Sequence, residues 1–220
     1  MGEFLELKSA DNNNFSAYIS QPLEKPIAGL VILQEIFGVN THIKEVTDLY
    51  ANRGYLTIAP ALFDRIESNI ELEYDEEGVN KGRKLKELCD KDALKDIDAA
   101  ISVVSSAGNV GIIGYCWGGS LSWRMACQSN DLLASVCYYG GDIPRLKTLE
   151  PKCSVLTHFG ELDQGIPINS VEVFKSINPE VLTYTYPADH GFNCDHRKQF
   201  NEVSAKVALD RTLKFLKSNL

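Results

Sequence analysis

The chain has 220 residues, with 30 acidic side chains against 22 basic ones and a formal net charge of −8, so it lacks the basic footprint that nucleic acid or an anionic lipid surface would require. Its 44% hydrophobic and 24% charged content belongs to an ordinary globular protein and argues against a disordered one. A chain of this length can bury ~70% of the surface it would expose unfolded.

The opening segment MGEFLELK has early acids and no apolar h-region, and no apolar run reaches the ~18 residues of a membrane span, so a cytoplasmic protein with no membrane partner is expected. The six cysteines, Cys89, Cys116, Cys127, Cys137, Cys153 and Cys194, include no C-x-x-C pair and are expected as thiols. No repeat, low-complexity tract or Pro/Gly/Ser linker divides the sequence. A single domain over residues 1–220 is expected, with little room for a large cap.

In chain order, Phe4 to Ser20 alternates around the turn-prone DNNN at Asp11 to Asn14, which predicts an antiparallel hairpin. Then come apolar runs too continuous for half-exposed strands: GLVIL (29–33), YLTIAP (55–60), VGIIG (110–114), SVCYYG (135–140), SVLTHFG (154–160) and VLTYTY (181–186). Such runs suit a parallel sheet covered on both faces. Helical periodicity marks Thr41 to Arg53, Asp92 to Ser106, Trp117 to Gln128 and the terminal stretch from about Arg197 to Leu216. Strands alternating with helices predict an α/β fold, an open, mostly parallel sheet with helices on both faces, whose chemistry lies just beyond the carboxyl ends of the strands.

At one such end stands GIIGYCWGGS, residues 111–120. Read as strand, sharp turn and helix, it is a G-x-S-x-G nucleophile elbow with sulfur for oxygen, Cys116 at its apex. The amino end of the following helix favours the thiolate. The plainer reading is a buried cysteine beside a Gly-rich turn. Ser120 and Ser122 fall inside the predicted helix and lack the flanking glycines.

Of four histidines, His42 lies in the first helix and is read as a surface or cap residue, His158 sits within an apolar strand as a core residue, and His196 occupies a polar loop. His190, in YPADHGFN, follows the last strand at its carboxyl end with Gly191 behind it, and is the preferred base. The acid that orients it is assigned to Asp163 in LTHFGELDQGIP, with Glu161 in reserve; Asp189 is too near His190 in sequence to turn toward it. Nucleophile, acid, histidine is the order of α/β-hydrolases.

Glu35 ends the run GLVILQE at the same edge of the sheet. It serves either as a structural cap or ion-pair partner, or as a group that contacts the thiol and receives its proton. The backbone N–H groups of Ile36 and Trp117 are the expected oxyanion hole. The cluster HGFNCDH gathers His190, Cys194, Asp195 and His196, yet lacks a second cysteine pair at zinc spacing, so no metal is expected; no cofactor is expected either.

LQEIFG, GYCWGG, GELDQGIP, DHGFNCD and ALDRTLKFL together resemble the dienelactone hydrolase (carboxymethylenebutenolidase) family over nearly the whole chain. The resemblance implies an eight-stranded α/β-hydrolase fold without a large lid, a triad of Cys116, His190 and Asp163, and Glu35 as the group governing the thiol. It implies arginines that hold a substrate carboxylate, one of them four residues beyond the histidine, where this chain has Cys194; Arg197 or the basic run KGRK (81–84) are the substitutes to consider. The expected function is hydrolysis of small esters or lactones through a cysteine acyl-enzyme, by a monomer or small homo-oligomer. The alternatives are a non-catalytic small-ligand-binding scaffold and a thiol redox enzyme with Cys194 as the resolving partner.

Overall fold

The computed structural model describes residues 2–220. Eight strands form one sheet in the order β1-β2-β4-β3-β5-β6-β7-β8, and the backbone contacts divide the chain into two compact units, one ending at Gly111 and the other starting at Ile112, both in β5 (Val110–Tyr115). Among the described residues no helix is long and apolar enough to cross a membrane.

In the first unit β1 (Glu3–Lys8) and β2 (Asn14–Ser20) form the expected antiparallel hairpin, with Glu3 opposite Ile19 and Lys8 opposite Asn14. Its turn passes through Asn12 at φ 68°, a left-handed conformation that asparagine tolerates well, and is closed by a 2.9 Å bond from the Ser9 N–H to the Asn13 carbonyl. β2 pairs antiparallel with β4 (Leu56–Pro60), which runs parallel to β3 (Gly29–Leu33). Every residue of β3 and β4 is buried, so both faces of these strands are covered.

The helices α1 (Thr41–Ala51) and α3 (Ala93–Val104) supply that cover. α1 starts where the Asn40 side chain accepts from the Ile43 N–H, and the Thr57 hydroxyl of β4 bonds to the Thr47 carbonyl at 3.0 Å. Gly29 lets α3 approach closely: a Cβ there would meet the Val104 carbonyl. Arg65 fastens this unit together. Its guanidinium makes a bidentate pair with the fully buried Asp96 at 2.6 and 2.8 Å and reaches Asp11 of the hairpin turn at 2.9 Å.

The helix α2 (Glu76–Cys89) is absent from the periodicity reading, because two glycines and seven charged residues leave it only a thin apolar stripe. Asp75 caps it by accepting from the Gly78 N–H, and Gly82 brings it against the Ile36 carbonyl, where a Cβ would not fit. The KGRK run lies in this helix, and its Lys81 is already paired with Glu67 at 2.8 Å.

In the second unit β6 (Ala134–Tyr138), β7 (Ser154–Gly160) and β8 (Leu182–Tyr186) run parallel, with Tyr138 opposite His158 and His158 opposite Tyr184. β6 is wholly buried, packed by α4 (Trp117–Gln128) and α6 (Glu202–Asn219). Trp123 of α4 is fully buried; its indole N–H donates to the Leu146 carbonyl and its ring meets Phe174 edge to face at 5.2 Å. Phe174 belongs to α5 (Ile168–Ile177), a second helix that the periodicity did not reveal, since only Val171 and Phe174 of its ten residues are buried.

Two further expectations are corrected. β8 is an edge strand, partly exposed along most of its length, rather than covered on both faces. α6 begins at Glu202, where Asn201 accepts from the Ser204 N–H, and the stretch from Arg197 to that cap is loop.

Candidate active site

β5 ends at Tyr115 and α4 starts at Trp117, leaving Cys116 alone in the bend at φ 55° and ψ −112°. A non-glycine residue there costs about 1–3 kcal/mol, so its surroundings must hold it. They do so through backbone: the Cys116 N–H donates to the Tyr138 carbonyl of β6 at 3.0 Å, and the Cys116 carbonyl accepts from the Ser120 N–H at 3.2 Å. The flanking glycines permit the approach. A Cβ on Gly114 would meet the Gly118 carbonyl, and one on Gly119 would meet the Tyr138 carbonyl.

Asp163 sits three residues beyond the end of β7, and His190 four beyond the end of β8. His190 Nδ1 lies 2.6 Å from Asp163 Oδ2, and His190 Nε2 lies 3.1 Å from Cys116 Sγ. The other Asp163 oxygen accepts from the N–H groups of Gly165 and Ile166 at 2.8 and 3.2 Å. A carboxylate that accepts on both oxygens requires the proton on Nδ1, which leaves Nε2 to exchange a proton with sulfur.

The electrostatics follow from this contact chain. Burial of His190 opposes its protonation, yet the charge of the Cys116 sulfur and the bond from Asp163 outweigh it and push the imidazole up to about 10. Burial likewise opposes ionisation of Asp163, but the His190 bond and the two backbone N–H groups hold its carboxyl below the usual range. Asp163 is 4% exposed, whereas the His190 side chain is 26% exposed and so remains open to a ligand.

Trp117 occupies the first helical position after Cys116 and is buried. In the first unit Glu35 and Ile36 leave the carboxyl end of β3; Glu35 is 1% exposed, and the loop is fastened by Gln34, whose side chain accepts from the Leu62 N–H at 3.1 Å. Glu161, the reserve acid, instead accepts from the Thr185 hydroxyl at 2.8 Å. His196 lies beside Asp195 at 3.8 Å, and His42 proves buried rather than superficial.

Sequence reasoning passed over Tyr139. It follows β6 at φ 37°, its N–H donates to the His158 carbonyl at 2.7 Å, and its ring centroid stands 5.1 Å from His190 and 5.5 Å from Phe192. The strained backbone swings an aromatic wall beside the imidazole, and a conformation of that kind has no signature in residue type. Cys194 is fully buried, while the Arg197 guanidinium folds against Gly191, the neighbour of His190, where a Cβ would meet it at 2.6 Å.

Similarity to known proteins points to one family. The profile of the dienelactone hydrolase family matches residues 15–220. A carboxymethylenebutenolidase of Pseudomonas putida is 30% identical over 97% of this chain and 95% of its own, and a provisionally named one of Synechocystis is 31% identical over 95% and 94%. The solved structure of a provisionally named dienelactone hydrolase of Klebsiella pneumoniae superposes with a TM-score of 0.79 at 28% identity, covering 98% of both chains. With its α/β-hydrolase sheet and a family match that leaves out only the first strand and its turn, the chain belongs to the dienelactone hydrolase family of carboxylic ester hydrolases.

Proposed function

We propose that this enzyme cleaves small esters or lactones through a thioester formed on Cys116. The single observation that carries the reading is the line of contacts from Asp163 Oδ2 through His190 to Cys116 Sγ, at 2.6 and 3.1 Å, with the sulfur at the apex of a strand-to-helix bend.

Cys116 Sγ attacks the carbonyl carbon, and the negative charge moves to the carbonyl oxygen. The backbone N–H of Trp117, the first residue of α4, is assigned to that oxyanion. Collapse of the tetrahedral species breaks the C–O bond, and His190 Nε2 gives its proton to the departing alkoxide; in a lactone this opens the ring. Water then attacks the thioester, His190 takes the proton from it, and the acid product leaves with Cys116 restored. Asp163 keeps the imidazole in the tautomer that both halves need.

Arg197 is the better candidate for a substrate carboxylate than the KGRK run, because its guanidinium lies against Gly191, the neighbour of His190. The test is a panel of short p-nitrophenyl esters and dienelactones assayed with the wild type and Cys116→Ala, with acylated peptides trapped by acid quench and weighed by mass spectrometry. A thioester on the Cys116 peptide and loss of turnover in the variant are expected. An unchanged rate in Cys116→Ala would overturn the reading.

A further inference from the structure

A second recess lies at the other end of β8. It has a volume of about 370 Å³ and opens between the first residues of β7 and β8 and the last turns of α6. Leu182, Tyr184 and Phe215 give it an apolar wall, and Arg211, Lys214 and Glu180 supply its charges. Leu182 opens β8, whereas His190 lies four residues beyond the strand's far end at Tyr186, so the recess is separate from the candidate active site.

The Arg211 side chain hydrogen-bonds to the Tyr186 hydroxyl. Among the described residues neither Arg211 nor Lys214 makes an ion pair with a carboxylate. The Arg211 guanidinium carbon instead stands 3.9 Å above the Tyr184 ring and 5.3 Å from the Tyr186 ring. Stacking of this kind fixes the plane of the guanidinium, and the edge N–H donors not turned to Tyr186 are left for a flat two-oxygen acceptor. Two cations against one acid leave the recess positive on a chain whose net charge is −8.

We propose that this recess binds a small aromatic monocarboxylate. The carboxylate meets the edge of Arg211 with Lys214 beside it, and the ring lies on the apolar wall of Leu182 and Phe215. The volume is at the small end of ligand pockets, which suits a single ring. Glu180 opposes the ligand charge and so limits the affinity. This inference is independent of the chemistry assigned to Cys116.

The probe is sodium benzoate, titrated into the full chain while backbone amide shifts are followed residue by residue. Saturable shifts are expected at Leu182, Tyr184 and Phe215. Lys214→Met and Arg211→Met should each raise the benzoate Kd by about tenfold, as loss of a charge-assisted contact does. Glu180→Gln should lower it severalfold. Benzyl alcohol, of similar shape but neutral, should bind at least about tenfold more weakly. Shifts confined to the surroundings of His190, equal binding of benzyl alcohol, or an unchanged Kd in both Lys214→Met and Glu180→Gln would each overturn the proposal. Lys214 and Glu180 lie at the protein surface, so their variants test it even where Arg211→Met fails to fold.

Discussion

His158 Nδ1 and the Tyr186 hydroxyl lie 2.7 Å apart, joining two neighbouring parallel strands just before each leaves the sheet for the active-site loops. His158 precedes Asp163 by five residues, and Tyr186 precedes His190 by four. The other ring nitrogen of His158 meets the Thr212 hydroxyl at 3.1 Å, which in turn meets the Tyr138 hydroxyl at 2.7 Å. Burial, helped by the nearby Arg211 charge, pushes the His158 imidazole down to about 3, so it stays neutral and acts by hydrogen bonding alone.

His158 is therefore a positioning residue. His158→Ala is expected to lower kcat about ten- to a hundredfold, since small displacements between acid and base are costly, with KM little changed. His158→Gln, which keeps one polar contact, should recover part of the rate. A kcat unchanged in His158→Ala, in protein shown to be folded by circular dichroism, would remove the role.

The tautomer argument predicts the effect of Asp163→Asn. An amide in place of the carboxylate presents an N–H donor or a weaker acceptor to Nδ1, so kcat on p-nitrophenyl acetate should fall by about 10³–10⁴-fold. Thermal stability should change far less than activity. Initial rates and a melting curve on the same preparation check both.

The pH dependence has a defined sign. His190 is raised from 6.5 to about 10 in the folded chain, so its contribution to stability is fully present below pH 6.5 and is lost as the pH rises through about 10. Urea midpoints of wild type and His190→Gln should therefore differ most near pH 6 and converge toward pH 10.5. Asp163 is shifted the other way, so its contribution is present above its ordinary value of 3.8 and is lost as the pH falls through its lowered folded value. Turnover that needs a protonated His190 should decline on approaching pH 10, read from kcat/KM across the range.

Arg65 offers a stability test remote from the chemistry. Its side chain is 11% exposed and pairs with Asp96 at 0%, so Arg65→Met strands a buried carboxylate and should cost about 3–5 kcal/mol. The expected reading is a lower urea midpoint with an unchanged kcat at temperatures where the variant stays folded.

Gly119→Ala is expected to be severe despite adding one methyl group to a helix. The new Cβ meets the Tyr138 carbonyl and the Gly140 backbone, neither of which can rotate away as a side chain would. Since Tyr138 also anchors the Cys116 N–H, both the melting temperature and the esterase rate should drop.

The sequence by itself determined the strands, four of the six helices, and the three residues that the structure places in one line. Buried parallel strands require unbroken apolar runs, and these repeat every few tens of residues from Gly29 to Tyr186. Cys116 was legible because a strained bend packed against its neighbours demands glycines at fixed spacing. His190 and Asp163 were legible because each follows a strand at its carboxyl end. What only the tertiary structure decided was everything that depends on a partner distant in the chain. α2 and α5 hide because their buried stripes are narrow, and packing rather than periodicity makes them helical. The Tyr139 wall rests on a positive φ that no residue type announces, and the edge position of β8 follows from strand order. The neutrality of His158 comes from burial among Tyr138, Tyr186 and Thr212, which converge only once the sheet and α6 have formed. Local patterns fix which element a segment becomes; the charges, distances and exposure that chemistry uses arise when separate elements meet.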